Sequence, residues 1–166
     1  MDKTATLNKI VPFLNTIGIP VVAKNLSDDT FLPGLELGPG CIHMDAEKLK
    51  YPGDLLHEAG HLAVTTPELR QLAGTSEQPD DWPDAGEEIV TLLWSYAAAK
   101  HIDLPLETLF HPDGYKGQSD WIRQQFEEKN FVGLPLLEWM GLTKIPKEGE
   151  VDEAEVFPNM IRWIRE

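Results

Sequence analysis

The sequence has little cysteine, few basic residues and no long apolar run, and each shortage excludes a class of protein. Cys41 is the single cysteine of 166 residues, so the chain cannot form an intramolecular disulfide framework. Lys and Arg together number 14 against 28 Asp and Glu, which gives a net charge of −14. A surface of this sign repels phosphate backbones, and we expect no nucleic-acid partner. No apolar run approaches the roughly 18 residues of a membrane span, and we expect no membrane partner.

The N-terminal stretch, the cysteine count and the chain length predict the compartment and the number of domains. The N-terminal stretch MDKTATLNKI lacks the apolar core and the small-residue cleavage site of a secretory signal. A lone cysteine also agrees with a reducing compartment, so we expect a cytoplasmic protein. Folding of a chain of this length can bury about 70% of its unfolded surface, and the sequence predicts a single domain over residues 1–166.

A histidine motif lies inside an apolar segment that favours a helix. His57, Glu58 and His61 have H-E-x-x-H spacing, with two leucines before the motif and a leucine and an alanine after it. Because an α-helix turns by about 100° per residue, His57 and His61 fall one turn apart and only about 40° apart around the axis. Both imidazoles can therefore reach one tetrahedral metal ion, while Glu58 is placed to take a proton from a metal-bound water. The motif predicts a metal site rather than a pair of core histidines.

At this motif the chain resembles the zincin metallopeptidases. The resemblance extends over residues 35–100, since an apolar strand-like stretch precedes the motif and a glutamate-bearing helix follows it. It implies a Zn²⁺ ion with one open coordination position, a peptide or protein substrate, and hydrolysis of a peptide or amide bond with Glu58 as general base. In the zincins a strand near Cys41–Asp45 is the sheet edge that receives the extended substrate, and the resemblance implies that role here.

The third metal ligand is expected on a second helix, predicted over Asp84–His101. Glu87 and Glu88 near its start follow His61 at a distance compatible with the gluzincins, the zincin branch that uses a glutamate ligand. Asp84 and Glu87 also have capping-box spacing, which turns the Glu87 side chain back toward the helix start. Glu88 is therefore the favoured ligand and Glu87 the alternative.

Two further features bear on the comparison with the zincins. The branch with a third histidine ligand is not matched, because Val64 and Pro67 stand where its longer motif has Gly and His. The loop His111–Gly117 contains a histidine and a tyrosine, residue types that stabilise the oxyanion of the tetrahedral intermediate elsewhere in the zincins. The resemblance therefore implies His111 and Tyr115 as catalytic residues, with a glycine turn holding a packed ring as the alternative.

The remaining pattern predicts an α+β fold in which a short, mostly antiparallel sheet packs on the motif helix and on the second, Glu-bearing helix, followed by a helical C-terminal part. Apolar spacing and turn residues predict helices over 3–17, 119–129, 133–141 and 157–164, a short helix after Pro105, a strand over 19–26, two strands within 31–45 and a polar linker over 144–155. An N-cap is expected at Ser119. The resemblance to the zincins implies that this architecture is a minimal zincin-like domain. The alternative to a hydrolase is a zincin-like domain that binds metal or another protein without catalysis.

Overall fold

The computed structural model describes residues 2–149 and 153–166, and these residues form seven α-helices beside a sheet of three strands. In chain order the elements are α1 Lys3–Ile17, β1 Val21–Ala23, β2 Leu35–Gly38, β3 Cys41–Met44, α2 Pro52–Val64, α3 Pro67–Arg70, α4 Ala85–His101, α5 Leu106–Leu109, α6 Ser119–Glu127 and α7 Leu134–Trp139, with 3-10 turns at Tyr115–Gly117 and Glu153–Glu155. The predicted α+β class is confirmed. Within the described ranges, no helix has the length and apolarity needed to cross a membrane.

The sheet differs from the expected one in two ways. Its strand order is β1-β3-β2, with β1 parallel and β2 antiparallel to β3, so it is mixed rather than mostly antiparallel. β3 is also the central strand, and the expectation that Cys41–Asp45 forms a sheet edge is wrong. The hairpin turn at Pro39 and Gly40 brings β2 to one side of β3, and on the other side the Ile42 N–H donates to the Pro20 oxygen. The alternation of a strand predicts which residues share a face, but it does not predict which strands pair.

Helix α1 covers the predicted residues 3–17, and it begins at a side-chain cap and ends at a glycine. The Asp2 carboxylate accepts a hydrogen bond from the Ala5 N–H, and Gly18 ends the helix in the left-handed region with a φ of 95°. The buried apolar side chains of α1 belong to the main core and are those of Ile10, Phe13 and Leu14. The helix contacts α2, which it helps to cover.

The core is organised around α2 and α4, which pack against each other. Gly60 of α2 lies at their contact, where an added Cβ would come within 2.9 Å of Thr91 Cγ2 and 3.0 Å of Ser95 Oγ. A side chain at this position would push the two helices apart. Close packing against α4 therefore explains why a glycine interrupts the apolar pattern of the motif helix.

The C-terminal part is less helical than the sequence predicts. Residues 157–164, expected as a helix, have an irregular backbone. This backbone is bound to other segments, since the Ile161 N–H donates to the Leu142 oxygen and the Trp163 oxygen accepts a hydrogen bond from Trp94 Nε1. The side chain of Trp163 still docks on the core, because its ring packs edge-on against the ring of Trp94 with centroids 5.8 Å apart. Of the apolar residues at helical spacing, Phe157 is buried and Ile161 is exposed, so the spacing predicted burial only in part and the backbone conformation wrongly.

Two element boundaries also differ from the expectation. Ser119 is the first residue of α6 rather than its N-cap, and its hydroxyl donates to the backbone oxygen of His111. The polar linker predicted over 144–155 begins in a bridge between Lys144 and Val156, and its residues 150–152 lie outside the described residues. The short helix after Pro105 and the helix near 133–141 are present as α5 and α7.

Candidate metal centre

His57, His61 and Glu88 converge at the contact between α2 and α4. One ligand atom from each side chain lies within 4.8 Å of the other two. Each imidazole Nε2 is 3.4 Å from a different carboxylate oxygen of Glu88. The two rings meet edge-on, with centroids 4.7 Å apart. The expected spacing of one helical turn therefore brings both rings to the same carboxylate.

A capping box at the start of α4 decides which of the two adjacent glutamates reaches the histidines. The Glu87 N–H donates to Asp84 Oδ1 at 2.7 Å, and the Asp84 N–H donates to Glu87 Oε2 at 3.0 Å. This reciprocal pair occupies the Glu87 carboxylate at the helix end. Glu88 projects about 100° further around the helix and faces α2. The candidate cluster accordingly contains Glu88 and not Glu87.

The electrostatic environment favours the ligand forms of His61 and Glu88. Burial lowers the pKa of His61 to about 4, with a further lowering by His57 and an opposing effect of Glu88, so this imidazole is neutral at neutral pH. A hydrogen bond from His57 holds the pKa of Glu88 below its ordinary value, although desolvation acts in the opposite direction. A neutral imidazole and an ionised carboxylate are the states that bind a divalent metal.

Polar groups contact both the ring and the backbone of His61. His61 Nδ1 lies 3.3 Å from Thr91 Oγ1 on α4. The Thr65 hydroxyl donates to the His61 backbone oxygen and accepts a hydrogen bond from Trp82 Nε1. Trp82 thereby anchors the segment between α3 and α4 to the end of α2. Support of this kind on the nitrogen away from a metal is usual for histidine ligands.

Glu58 lies beside the cluster in a partly buried position. Burial raises the pKa of its carboxyl group to about 7, with His57 opposing the rise and the negative charges of Asp54 and Glu88 adding to it. A carboxyl group with a pKa near neutrality can both take and return a proton at physiological pH. Its position next to His57 is the one that the H-E-x-x-H spacing predicts.

The His111–Gly117 loop is fastened to the first turn of α2. His111 Nε2 donates to Asp54 Oδ1 at 2.9 Å, and both side chains are buried. The His111 ring stacks on the ring of Tyr51 with centroids 3.9 Å apart and an interplanar angle of 11°. The Tyr51 hydroxyl in turn donates to Asp113, in the same loop. These contacts close the loop over the start of the motif helix.

Tyr115 is the residue that this loop brings to the cluster. Its ring meets the His57 ring edge-on, with centroids 5.4 Å apart. Its hydroxyl is buried and has no hydrogen-bond partner among the described residues. Burial raises the pKa of this phenol, and the charges of Asp54, Glu88 and Glu58 add to the effect, so the hydroxyl keeps its proton. A buried hydroxyl donor that lacks an acceptor is available for a hydrogen bond to a bound molecule.

The backbone of the same loop is strained where Tyr115 sits. Tyr115 and Lys116 both have a φ of 54°, in the left-handed region that residues with a side chain rarely adopt. Two such residues in succession cost free energy that the surrounding contacts must offset. Strain of this kind is common at functional sites, where it holds a side chain in a fixed position.

The structure therefore brings five of the expected residues together, namely His57, His61, Glu88, Glu58 and Tyr115. His111 instead pairs with Asp54. His111 Nε2 is engaged by Asp54 and holds the loop. Sequence reasoning missed Asp54, although it lies three residues before His57 and thus on the same face of α2. Its partner could not be recognised, because 57 residues separate Asp54 from His111.

No protein-family model, no curated protein and no solved structure matches this chain.

Proposed function

We propose that the chain is a zinc-dependent hydrolase of the zincin-like kind, which cleaves a peptide or amide bond in the cytoplasm. The single observation that carries the proposal is the convergence of His57, His61 and Glu88, with Glu58 beside them. A buried tyrosine hydroxyl without a partner adjoins the same cluster. A peptide or protein is the substrate that this proposal implies.

The donor set fits zinc. Two imidazole nitrogens and one carboxylate oxygen form the three-ligand set of catalytic zinc sites, which leave the fourth position for water or substrate. A structural zinc site usually fills all four positions with protein ligands, and the described residues offer only three here. A zinc ion bound there would supply Lewis acidity, which activates a water molecule and polarises a carbonyl group.

Residues of the chain would then transfer the protons and stabilise the developing charge. Glu58, with its pKa raised to about 7, would take the proton of the attacking water and return it to the leaving amine. The Tyr115 hydroxyl would donate a hydrogen bond to the carbonyl oxygen as negative charge develops there. Asp54 and His111 would keep the loop, and with it Tyr115, at the correct distance from His57.

The first experiment is zinc stoichiometry by elemental analysis of the wild type and of His61→Ala, Glu88→Ala and Glu87→Ala variants. We expect one zinc per chain in the wild type, loss of zinc in the first two variants, and retention in Glu87→Ala. Glu87→Ala is the matched control, because it removes a neighbouring carboxylate that the capping box occupies. The metal proposal is refuted by a wild type that binds no zinc when zinc is supplied.

The second experiment separates a hydrolase from a metal-binding domain without catalysis. Wild type and Glu58→Gln are incubated with a pool of peptides, and cleavage products are identified by mass spectrometry. A hydrolase predicts that Glu58→Gln keeps its zinc and loses about 10²- to 10⁴-fold in rate. Zinc binding in both proteins without cleavage by either supports the non-catalytic alternative.

A further inference from the structure

A second cluster of reactive side chains lies on the sheet, outside the candidate metal centre. Cys41 and His43 flank the fully buried Ile42 on β3, so they share the opposite face of the strand. Cys41 Sγ lies 3.8 Å from His43 Nε2, and His43 Nδ1 lies 3.3 Å from Glu36 Oε2 on β2. The imidazole thus stands between the thiol and the carboxylate.

The carboxylate determines which nitrogen of His43 carries the proton. Lys24 Nζ donates to Glu36 Oε2 at 2.9 Å, and this hydrogen bond is the main cause that lowers the pKa of Glu36. An ionised carboxylate can only accept hydrogen bonds, so it favours the proton on His43 Nδ1. The lone pair of Nε2 then faces the sulfur of Cys41, where it can accept the thiol proton.

Gly38 preserves the space that the thiol and the imidazole occupy. It is the cross-strand partner of Cys41, and an added Cβ would come within 2.9 Å of both Cys41 Sγ and His43 Cε1. The backbone of Gly38 lies outside the left-handed region, so its conformation does not require glycine. A side chain at this position would instead displace the thiol or the imidazole.

We propose that Cys41 is an activated thiol that exchanges with small-molecule disulfides, with His43 as proton acceptor and Glu36 as positioning residue. A nucleophile beside a base that a third group orients is the arrangement that activates side chains in enzymes. Cys41 is partly exposed, and the His43 side chain is 23% exposed, so a small reagent can approach. This site is independent of the proposed hydrolase.

The exchange conserves atoms and electrons. His43 takes the thiol proton, and the sulfur of Cys41 attacks one sulfur of the disulfide, whose S–S bond breaks. The leaving thiolate takes the proton from His43 and departs as a thiol. Cys41 is oxidised to a mixed disulfide, and the departing sulfur is reduced.

The size of the effect follows from the role of the base. A thiol that still carries its proton is a weak nucleophile, and a neighbouring base that accepts this proton during the attack accelerates the reaction. We therefore expect Cys41 to react about tenfold faster than a cysteine in an unstructured peptide at pH 7.

The test measures the second-order rate of the reaction with oxidised glutathione, followed by mass spectrometry of the intact chain. Because Cys41 is the only cysteine, every adduct is assigned without mapping. The variants are His43→Gln and Glu36→Gln, and the matched controls are His101→Gln on α4 and Glu47→Gln on the surface. Iodoacetamide, a small uncharged reagent, gives a parallel rate that does not depend on binding of the glutathione moiety.

We expect His43→Gln to lower both rates about tenfold, Glu36→Gln to lower them by a smaller factor, and the controls to stay within twofold of the wild type. Below about pH 8 the wild-type rate should vary less steeply with pH than that of His43→Gln. The proposal is overturned if wild-type Cys41 reacts no faster than a cysteine in an unstructured peptide. Glu36 does not contact the thiol, so Glu36→Gln tests its positioning role. The proposal is also overturned if this variant reacts as fast as the wild type and with the same pH profile.

Discussion

His111 Nε2 lies 2.9 Å from Asp54 Oδ1, and this buried pair joins a loop to the motif helix one turn before His57. The pair matters for the site because the same loop presents Tyr115 to the His57 ring. The position of the tyrosine hydroxyl therefore depends on a contact that involves none of the candidate metal ligands.

Replacement of Asp54 tests the strength of this connection. Asp54→Ala leaves the buried His111 Nε2 without an acceptor, and we expect the free energy of unfolding to fall by about 1–3 kcal/mol. Asp113→Ala is the matched control, because Asp113 is an exposed carboxylate that accepts from Tyr51, and its loss should cost under about 1 kcal/mol. Urea denaturation measures both values. Equal losses would mean that the buried pair does not hold the loop.

A double-mutant cycle adds a second measurement. If Asp54 and His111 stabilise the fold through each other, the effects of Asp54→Ala and His111→Ala should not add, and the coupling should exceed about 0.5 kcal/mol. Additive effects would show that each residue acts through other neighbours, such as the Tyr51 ring for His111.

Gly60→Ala tests the close contact between α2 and α4. Alanine favours a helix over glycine by about 1 kcal/mol, but its Cβ would meet Thr91 at 2.9 Å, and overpacking of this kind costs about 1–3 kcal/mol. We expect a net loss of stability in thermal unfolding and weaker binding of the proposed zinc ion, because the two helices that carry the candidate ligands would move apart.

Gly86→Ala on α4 is the matched control for Gly60→Ala. The nearest atoms to its added Cβ are Asp84 Oδ1 at 3.3 Å and Leu136 Cδ2 at 3.4 Å, which small side-chain shifts can relieve. This variant should be as stable as the wild type or more so. If Gly60→Ala is stabilised to the same extent, the packing explanation for Gly60 is wrong.

Arg70 closes the C-terminal end of the motif helix. Its guanidinium donates to the backbone oxygens of Leu62 and Thr65 at 2.8 Å each, and to that of Arg165 at 2.6 Å. Arg70→Ala leaves these acceptors without their donor, and we expect the free energy of unfolding in urea to fall by about 2 kcal/mol.

Arg162→Ala is the control. It removes an i,i+4 ion pair with Glu166 and should lower the free energy of unfolding by about 0.5 kcal/mol. A similar loss in both variants would contradict this role of Arg70.

The acid sensitivity of the fold should depend in part on Asp45. Its carboxylate accepts backbone hydrogen bonds, first from Leu26 and also from Lys48 and Glu47, and these hold its pKa below the ordinary value of 3.8. Because the folded pKa is the lower one, the stabilisation is fully present above the unfolded value and is lost as the pH falls through the folded value. Asp45→Asn should therefore destabilise the protein at neutral pH and differ less from the wild type in acid.

The measurement for Asp45 is the free energy of unfolding in urea at a series of pH values from neutrality to about pH 2.5. Asp29→Asn, which replaces an exposed carboxylate, is the control. Its free energy of unfolding should equal that of the wild type at every pH. A constant difference between Asp45→Asn and the wild type at all pH values would contradict the assignment.

Local signals in the sequence predicted the parts of the fold that depend on local physics. The Asp84–Glu87 capping box fixed the start of α4, and with it the choice of Glu88 as the carboxylate facing His57 and His61. Helical spacing alone placed the two histidines on one face. These features need only neighbours within one helical turn.

The features that sequence reasoning missed depend on contacts between distant segments. The pairing of β1 with β3 and the irregular backbone of 157–164 are set by hydrogen bonds to other parts of the chain. The left-handed backbone at Tyr115 and Lys116 is likewise not signalled by their residue types. The contact of Asp54 with His111 belongs to the same class, since nothing near either residue in the sequence indicates the other.

His57 and His61 lie on α2, whereas Glu88 lies on α4, so a bound ion would affect the stability of the fold. An ion that engages all three side chains binds only while the two helices are docked, so it acts as a reversible cross-link between them. By mass action, free ion at a hundredfold excess over its dissociation constant would add about 2.7 kcal/mol to the free energy of unfolding. The free energy of unfolding would then rise and fall with the concentration of free metal around the protein.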